Sequence, residues 1–207
     1  MVLSRAGVNV RGRGRRLRIN YRTPEEIRRY AVALLEGVEF DDLDAGTDST
    51  KGYRSLMHGE VPELRVHETF VDEVEAIAAW LAGTERWKVC LVARTNKLAD
   101  RYAEALEGRG IATRKVRRSA PDDLSEPGLR VATMHRVKGL EYDRMVIAGM
   151  NEDLMPLRAR IARSGDAAIR REAELMERAL LYVALTRARG AALITAHGKV
   201  SAWIRSR

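Results

Sequence analysis

A run of apolar residues at 179–185 ends abruptly in Thr186-Arg187-Ala188-Arg189. Upstream, Ile169, Ala173, Met176, Leu180 and Val183 recur at helical spacing. That pattern predicts one buried helix face. The next step of the stripe is Arg187. A lone guanidinium is too costly to leave in dry core. It should emerge at the rim of a cleft and meet an anion, and its planar fork suits phosphate. The competing reading is a basic helix end, with Arg187 and Arg189 complementing the dipole.

Three further clusters carry chemistry. Thr133, His135, Lys138 and Gly139 gather after an apolar run, with a carboxylate at Glu141. Hydroxyl, ammonium and backbone N–H groups contact phosphate, and a carboxylate can accept from both hydroxyls of a ribose. Taken alone, His135 is more often a structural histidine. Tyr21 could stack on a base and Arg22 could meet phosphate. A strand-end tyrosine and a surface arginine are the plainer reading. Arg94-Thr95-Asn96 follows the most apolar stretch of the chain. Thr95 or Asn96 suits a helix N-cap whether or not the segment also touches a ligand.

These residues need a scaffold. Residues 17–21 alternate as a strand, Pro24 suits a first helical position, and residues 27, 30, 31, 34 and 35 mark an amphipathic helix closed by Gly37. Residues 38–61 read as a loop or short hairpin. Strands are expected at 64–70, 89–93, 113–118, 129–134, 145–150 and 191–196. Helices are expected at 71–82, at 97–107 and in the long segment before Thr186. Alternation of this kind predicts an α/β fold with a mainly parallel sheet and helices on both faces. Ligands then collect at the C-terminal ends of strands.

The 207 residues allow one sizeable core. No window of 18 apolar residues exists, so no membrane span is expected. The single cysteine, Cys90, excludes an internal disulfide framework and fits a reducing compartment, so the expected location is cytoplasmic. A net charge of +8, nearly all of the base being arginine, points to a polyanionic partner. Residues 1–24 hold seven arginines and no acid. Residues 11–16 would suit phosphate contacts and would equally suit a loose basic segment.

In their order along the chain, these clusters closely resemble the second RecA-like domain of superfamily 1 helicases of the UvrD/Rep/PcrA type. Asn20-Tyr21-Arg22 resembles motif IV, and residues 92–96 resemble the motif that follows it. Residues 133–141 resemble motif V and residues 177–189 motif VI. Residues 149–156 resemble the stretch between them. The resemblance implies that Tyr21 stacks on adenine and that Glu141 holds the ribose. It implies that Arg22 and Arg187 reach the γ-phosphate as arginine fingers. Arg94, Asn96, Thr133, His135 and Lys138 are then expected to face single-stranded DNA. Two departures stand out: Ala179 replaces the second of two adjacent arginines beginning at Arg178, and Tyr142 replaces a usual phenylalanine.

No G-x-x-x-x-G-K-[ST] motif occurs, and no acidic motif suited to Mg²⁺. The resemblance assigns both to a preceding N-terminal RecA-like domain. ATP with Mg²⁺ would therefore be shared between two domains, the metal held by the other one and no metal ligand assigned here. Residues 1–207 are expected to form one domain, monomeric in isolation. Residues 111–130 are too few for the large accessory insertion of the bigger relatives. The leading expectation is the C-terminal motor domain of an ATP-dependent DNA helicase or translocase, moving 3′ to 5′. The alternatives are a non-catalytic RecA-like DNA- or protein-binding module and a helicase separated from a nuclease.

Overall fold

The computed structural model describes residues 19–35, 40–41, 47–48, 54–117, 126–161 and 166–205. The basic segment at 11–16 and the expected stop at Gly37 lie outside them. Strand β1 (Ile19–Asn20) leads into α1 (Glu25–Ala33). Pro24 stands at the N-cap of α1, one position before the expected one, and its carbonyl accepts from Arg28 N. Strands β2 (Phe40–Asp41) and β3 (Thr47–Asp48) form a small antiparallel pair, and β4 (Arg54–Ser55) runs parallel to β1.

The main sheet is built from β5 (Glu63–His67), α2 (Phe70–Trp80), β6 (Val89–Ala93), α3 (Asn96–Glu107), β7 (Thr113–Lys115), β8 (Leu129–Thr133), β9 (Tyr142–Ile147), the short α4 (Arg158–Ile161), α5 (Ala167–Leu185), β10 (Ala188–His197) and the short α6 (Ala202–Arg205). Its strand order is β5-β10-β9-β6-β8-β7, and every neighbouring pair is parallel. The α/β expectation holds, and β7, shorter than the strand expected at 113–118, is an edge strand whose charged side chains disfavour pairing with another chain.

Alternation along each strand builds two cores. Cys90 and Val92 of β6 pack with Ile27 and Ala31 of α1 and Leu181 and Ala184 of α5. Val89, Leu91 and Ala93 pack with Val74 and Ile77 of α2 and Leu98 and Tyr102 of α3. All five residues of β6 are buried, as a strand covered on both faces must be. Helix starts follow their capping chemistry. Thr69 and Asp72 form a reciprocal box at α2, and Thr95 accepts from Leu98 N at α3. No described helix is long and apolar enough to cross a membrane.

The expected buried stripe on α5 is corrected. Ile169 and Met176 are each 52% exposed. The residues facing the sheet are Glu177, Leu181, Ala184 and Leu185. The apolar spacing was real, but a buried carboxylate with a buried cationic partner occupies the inward face. Hydropathy assigns such a residue to solvent.

A second buried carboxylate, Glu73, joins the other layer together. It accepts from Tyr102 Oη at 2.7 Å and from Gly149 N at 3.1 Å, and it also meets Thr195 and His197. Burial, followed by the charge of Glu73, raises the Tyr102 phenol well above its ordinary range. Gly149 has φ +71°, and a Cβ there would meet Leu98 Cδ2 at 2.8 Å. Only glycine lets the end of β9 approach α3 that closely.

Candidate functional site

The turn after β1 is shaped by Asn20, whose Oδ1 accepts from Arg22 N at 2.8 Å and Thr23 N at 3.3 Å. Tyr21 projects outward, 66% exposed. Thr23 turns inward, and its hydroxyl donates to Thr186 O at 3.1 Å. Beneath the turn, Ser55 Oγ donates to Thr23 O at 2.6 Å and lies 3.0 Å from Asn20 O. Glu25 accepts from Ser55 N at 2.7 Å, which fixes β4 against the start of α1. The segment after β4 is close-packed too. Gly59 leaves no room for a Cβ, which would lie 2.7 Å from Gly190 O.

Arg187 enters the same corner from the end of α5. Its Nε donates to Val183 O at 3.1 Å, and Nη2 lies 3.4 Å from Thr186 Oγ1. Arg187 O accepts from Tyr142 N at 3.1 Å, which sets Glu141 beside the helix end. Glu141 forms an ion pair with the Arg22 guanidinium, and Arg189 Nε lies 4.0 Å from its other oxygen. Two guanidinium groups thus meet one carboxylate, and Arg187 stands near enough to feel its charge. Burial, and then the nearby charge of Arg22, lowers the Arg187 pKa, while Glu141 acts in the opposite sense. Arg187 remains a cation, in surroundings that favour a further anion.

Tyr21, Arg22, Glu141 and Arg187 are brought together from segments far apart in sequence. They do not lie at the C-terminal ends of the sheet strands. Glu141 and Arg187 immediately precede β9 and β10. Residues 134–141 run back along the sheet after β8, so the two ends of that segment emerge at opposite edges. Val89 pairs with Arg144 and Ala93 with Thr133. The edges are therefore at least about 13 Å apart, four residues of strand rise.

Thr133 and Asn96 line a groove of about 320 Å³ at the opposite edge, with Lys115, Arg117 and Arg136 among its walls. His135 and Lys138 are exposed on the turn just beyond Thr133. Arg94 does not share that exposure. It is 6% exposed, and its Nε and Nη2 both donate to the carboxylate of Glu177, itself 1% exposed. Arg178 reaches sideways instead, donating to Leu34 O at 2.9 Å and Glu174 at 3.0 Å, with its guanidinium over Trp203. Among the described residues, no group of three or more His, Cys, Asp or Glu is arranged to hold a metal ion.

Sequence reasoning missed Thr23, Ser55 and the pairing of Arg94 with Glu177. Thr23 carried a weak signal, as a hydroxyl between Arg22 and a helix-starting proline. Ser55 carried none, since it sits in a stretch read as loop.

Residues 121–199 match the UvrD-like helicase C-terminal domain, a span that includes Thr133, Glu141 and Arg187. Over 108 residues the chain is 32% identical to the ATP-dependent DNA helicases UvrD2 of Mycobacterium bovis and Mycobacterium tuberculosis. That match covers 51% of this chain and 15% of those proteins. Among solved structures, the C-terminal domain of a possible DNA helicase from Lactobacillus plantarum WCFS1 superposes with a TM-score of 0.60. It is 20% identical, and 90% of this chain and 92% of that one are covered, a likeness of fold. The motif order and the family match agree over residues 121–199, which belong to the UvrD-like helicase C-terminal domains, and the parallel sheet has the fold of such a domain.

Proposed function

We propose that this chain is the second motor domain of an ATP-dependent DNA helicase or translocase. One observation carries the reading: Tyr21, Arg22, Glu141 and Arg187 converge on one corner, although they come from three distant segments. Their donor set fits a nucleoside triphosphate. Arg22 and Arg187 suit phosphate oxygens, the Glu141 carboxylate suits ribose hydroxyls, and the exposed Tyr21 ring suits a base face.

In this reading ATP lies between this corner and a preceding N-terminal RecA-like domain that supplies the P-loop and the Mg²⁺ ligands. Bound there, Mg²⁺ would neutralise charge on the phosphates. The part played by this chain is electrostatic. Phosphoryl transfer spreads negative charge over the terminal phosphate, and two preorganised guanidinium groups stabilise it. The mutual repulsion of Arg22 and Arg187 is relieved as the anion arrives, which favours closure of the cleft. Thr133, His135, Lys138 and Asn96 belong to a single-stranded DNA track at the opposite edge, used with 3′ to 5′ polarity and in DNA repair. The site works in the cytoplasm, and the chain by itself is a monomer with no large accessory subdomain between residues 111 and 130.

The test is phosphate release. The chain alone, at high concentration and with oligo-dT, should show no appreciable ATP turnover. Joined to the P-loop domain of its parent, it should restore DNA-stimulated turnover. Motor-level turnover by the chain alone would overturn the shared-site reading. A joined protein that binds DNA but never hydrolyses ATP would favour a non-catalytic binding module.

A further inference from the structure

Arg94 directly follows β6 and immediately precedes Thr95, the cap of α3, and Asn96, its first residue. Its guanidinium is turned away from the groove that Asn96 lines and grips Glu177 in the middle of α5, with Nε 2.7 Å from Oε2. The same Oε2 accepts from Leu157 N at 3.2 Å. Glu177 therefore gathers the end of β6, the stretch that follows β9, and the helix that carries Arg187. The last residue of α5, Leu185, lies about 12 Å farther along the axis, and Arg187 follows its C-cap. With 6% of Arg94 exposed, a DNA phosphate could reach it only by breaking the fork.

We propose that Arg94 and Glu177 are positioning residues: their buried fork fixes the register of α5 against β6, and so sets where Arg187 stands relative to the Asn96 and Thr133 edge. This rests on the nucleotide reading for the role of Arg187, and it removes Arg94 from the set of DNA contacts. Two parallel N–H···O bonds fix direction as well as distance, which a point charge does not. A rigid link of this kind makes the two edges of the sheet move as one piece. An apolar contact in its place would hold the layers together without fixing their register.

The decisive variant is the double replacement Arg94→Met/Glu177→Met. It removes one charge of each sign, so net charge is unchanged, and replacement of a buried pair by apolar side chains is commonly tolerated by the fold. Arg94→Lys, which keeps the charge and loses the fork, is the conservative companion. The full chain would be titrated with inorganic tripolyphosphate, following the side-chain Nε–H signals of Arg22 and Arg187 by NMR. Backbone hydrogen exchange over residues 177–187 would be measured on the same samples, and oligo-dT binding at several salt concentrations. The expected result for the double variant is tripolyphosphate binding weakened several-fold, faster exchange in α5, and an unchanged oligo-dT salt slope. Arg94→Lys should fall between it and the unaltered chain. Wild-type affinity and wild-type exchange in a folded double variant would overturn the proposal. So would a salt slope reduced by about 0.7, the signature of one lost phosphate contact on a single strand. If the unaltered chain binds no tripolyphosphate at Arg22 and Arg187, the nucleotide reading fails, and the exchange measurement still decides whether the fork sets α5.

Discussion

The hydroxyl of Thr23 donates to the carbonyl of Thr186 at 3.1 Å, across 163 positions of sequence. Each residue adjoins an arginine of the proposed nucleotide corner, so this buried bond ties the backbone at Arg22 to the backbone at Arg187. Thr186 O lies where α5 ends, among carbonyls that have no partner within the helix. Thr23→Val keeps the shape and removes the donor. The expected cost is about 1–3 kcal/mol, the scale of a buried acceptor left unpaired, read as a lower midpoint in urea with an unchanged slope. A loss under about 0.3 kcal/mol would show that the turn is held by Ser55 and Asn20 alone.

In the parent motor, Arg187→Ala should cut turnover by roughly 10³ or more, the scale of a lost arginine finger. Nucleotide affinity should stay within a few fold, because the charge that Arg187 meets develops during transfer. Arg22→Ala should behave similarly, and it also frees Glu141 from its ion pair. Tyr21→Ala should chiefly weaken nucleotide binding. Steady-state turnover and equilibrium binding of a nonhydrolysable analogue separate these cases. Near-normal turnover in Arg187→Ala would return Arg187 to the role of a helix cap.

The unequal legibility of these features in the sequence has physical causes. The β6 run and the Thr95 cap were readable because their determinants are local: unbroken apolarity, and a hydroxyl before a helix. The sheet followed from strand–helix alternation, and the grouping of Arg22, Glu141 and Arg187 from motif order. The inward face of α5 was misread because periodicity ranks a carboxylate as polar. Glu177 becomes a core residue only through Arg94, 83 positions away. Arg94 was expected to face DNA for the converse reason, since nothing within its own segment reveals the carboxylate that takes it inward. Glu141 was assigned to a ribose, yet its place at the opposite end of the sheet from Thr133 depends on the path of residues 134–141. Motif spacing does not report that path.

The segment after β4 supplies a pH-dependent contact. Glu26 accepts from Gly59 N at 2.9 Å and meets His58 Nδ1 at 3.0 Å. The His58 contact, followed by the Gly59 N–H, lowers the Glu26 pKa from 4.5 to about 2. A carboxylate with a depressed folded pKa stabilises the fold fully above its unfolded value, and that contribution is lost as pH falls towards the folded one. The Glu26 contribution should therefore be present above 4.5 and decline as pH falls from 4.5 towards 2. Carbon-detected NMR of the Glu26 carboxyl should place its midpoint well below that of an exposed glutamate. A midpoint near 4.5 would mean that Gly59 and His58 are not held on α1 in solution.

DNA binding by the isolated chain should be weak, indifferent to sequence and steeply salt-dependent, because phosphate contacts dominate and only one side of the track is present. Lys138 is the residue to test. It is exposed on the turn after Thr133, next to the groove that Arg136 and Asn96 line. Lys138→Gln should weaken oligo-dT binding about equally for every sequence tried. It should also reduce the slope of log affinity against log salt by about 0.7, one phosphate contact on a single strand. Lys88→Gln, which removes a lysine at the opposite end of β6 that is ion-paired with Glu85, should leave the slope unchanged. Fluorescence anisotropy of labelled oligo-dT over a range of salt concentrations measures both. If the two variants lower the slope equally, attraction to DNA comes from the net charge of the whole chain, and the edge at Thr133 holds no track. Tight binding to one sequence that ignores salt would be the mark of a base-reading module instead of a phosphate track.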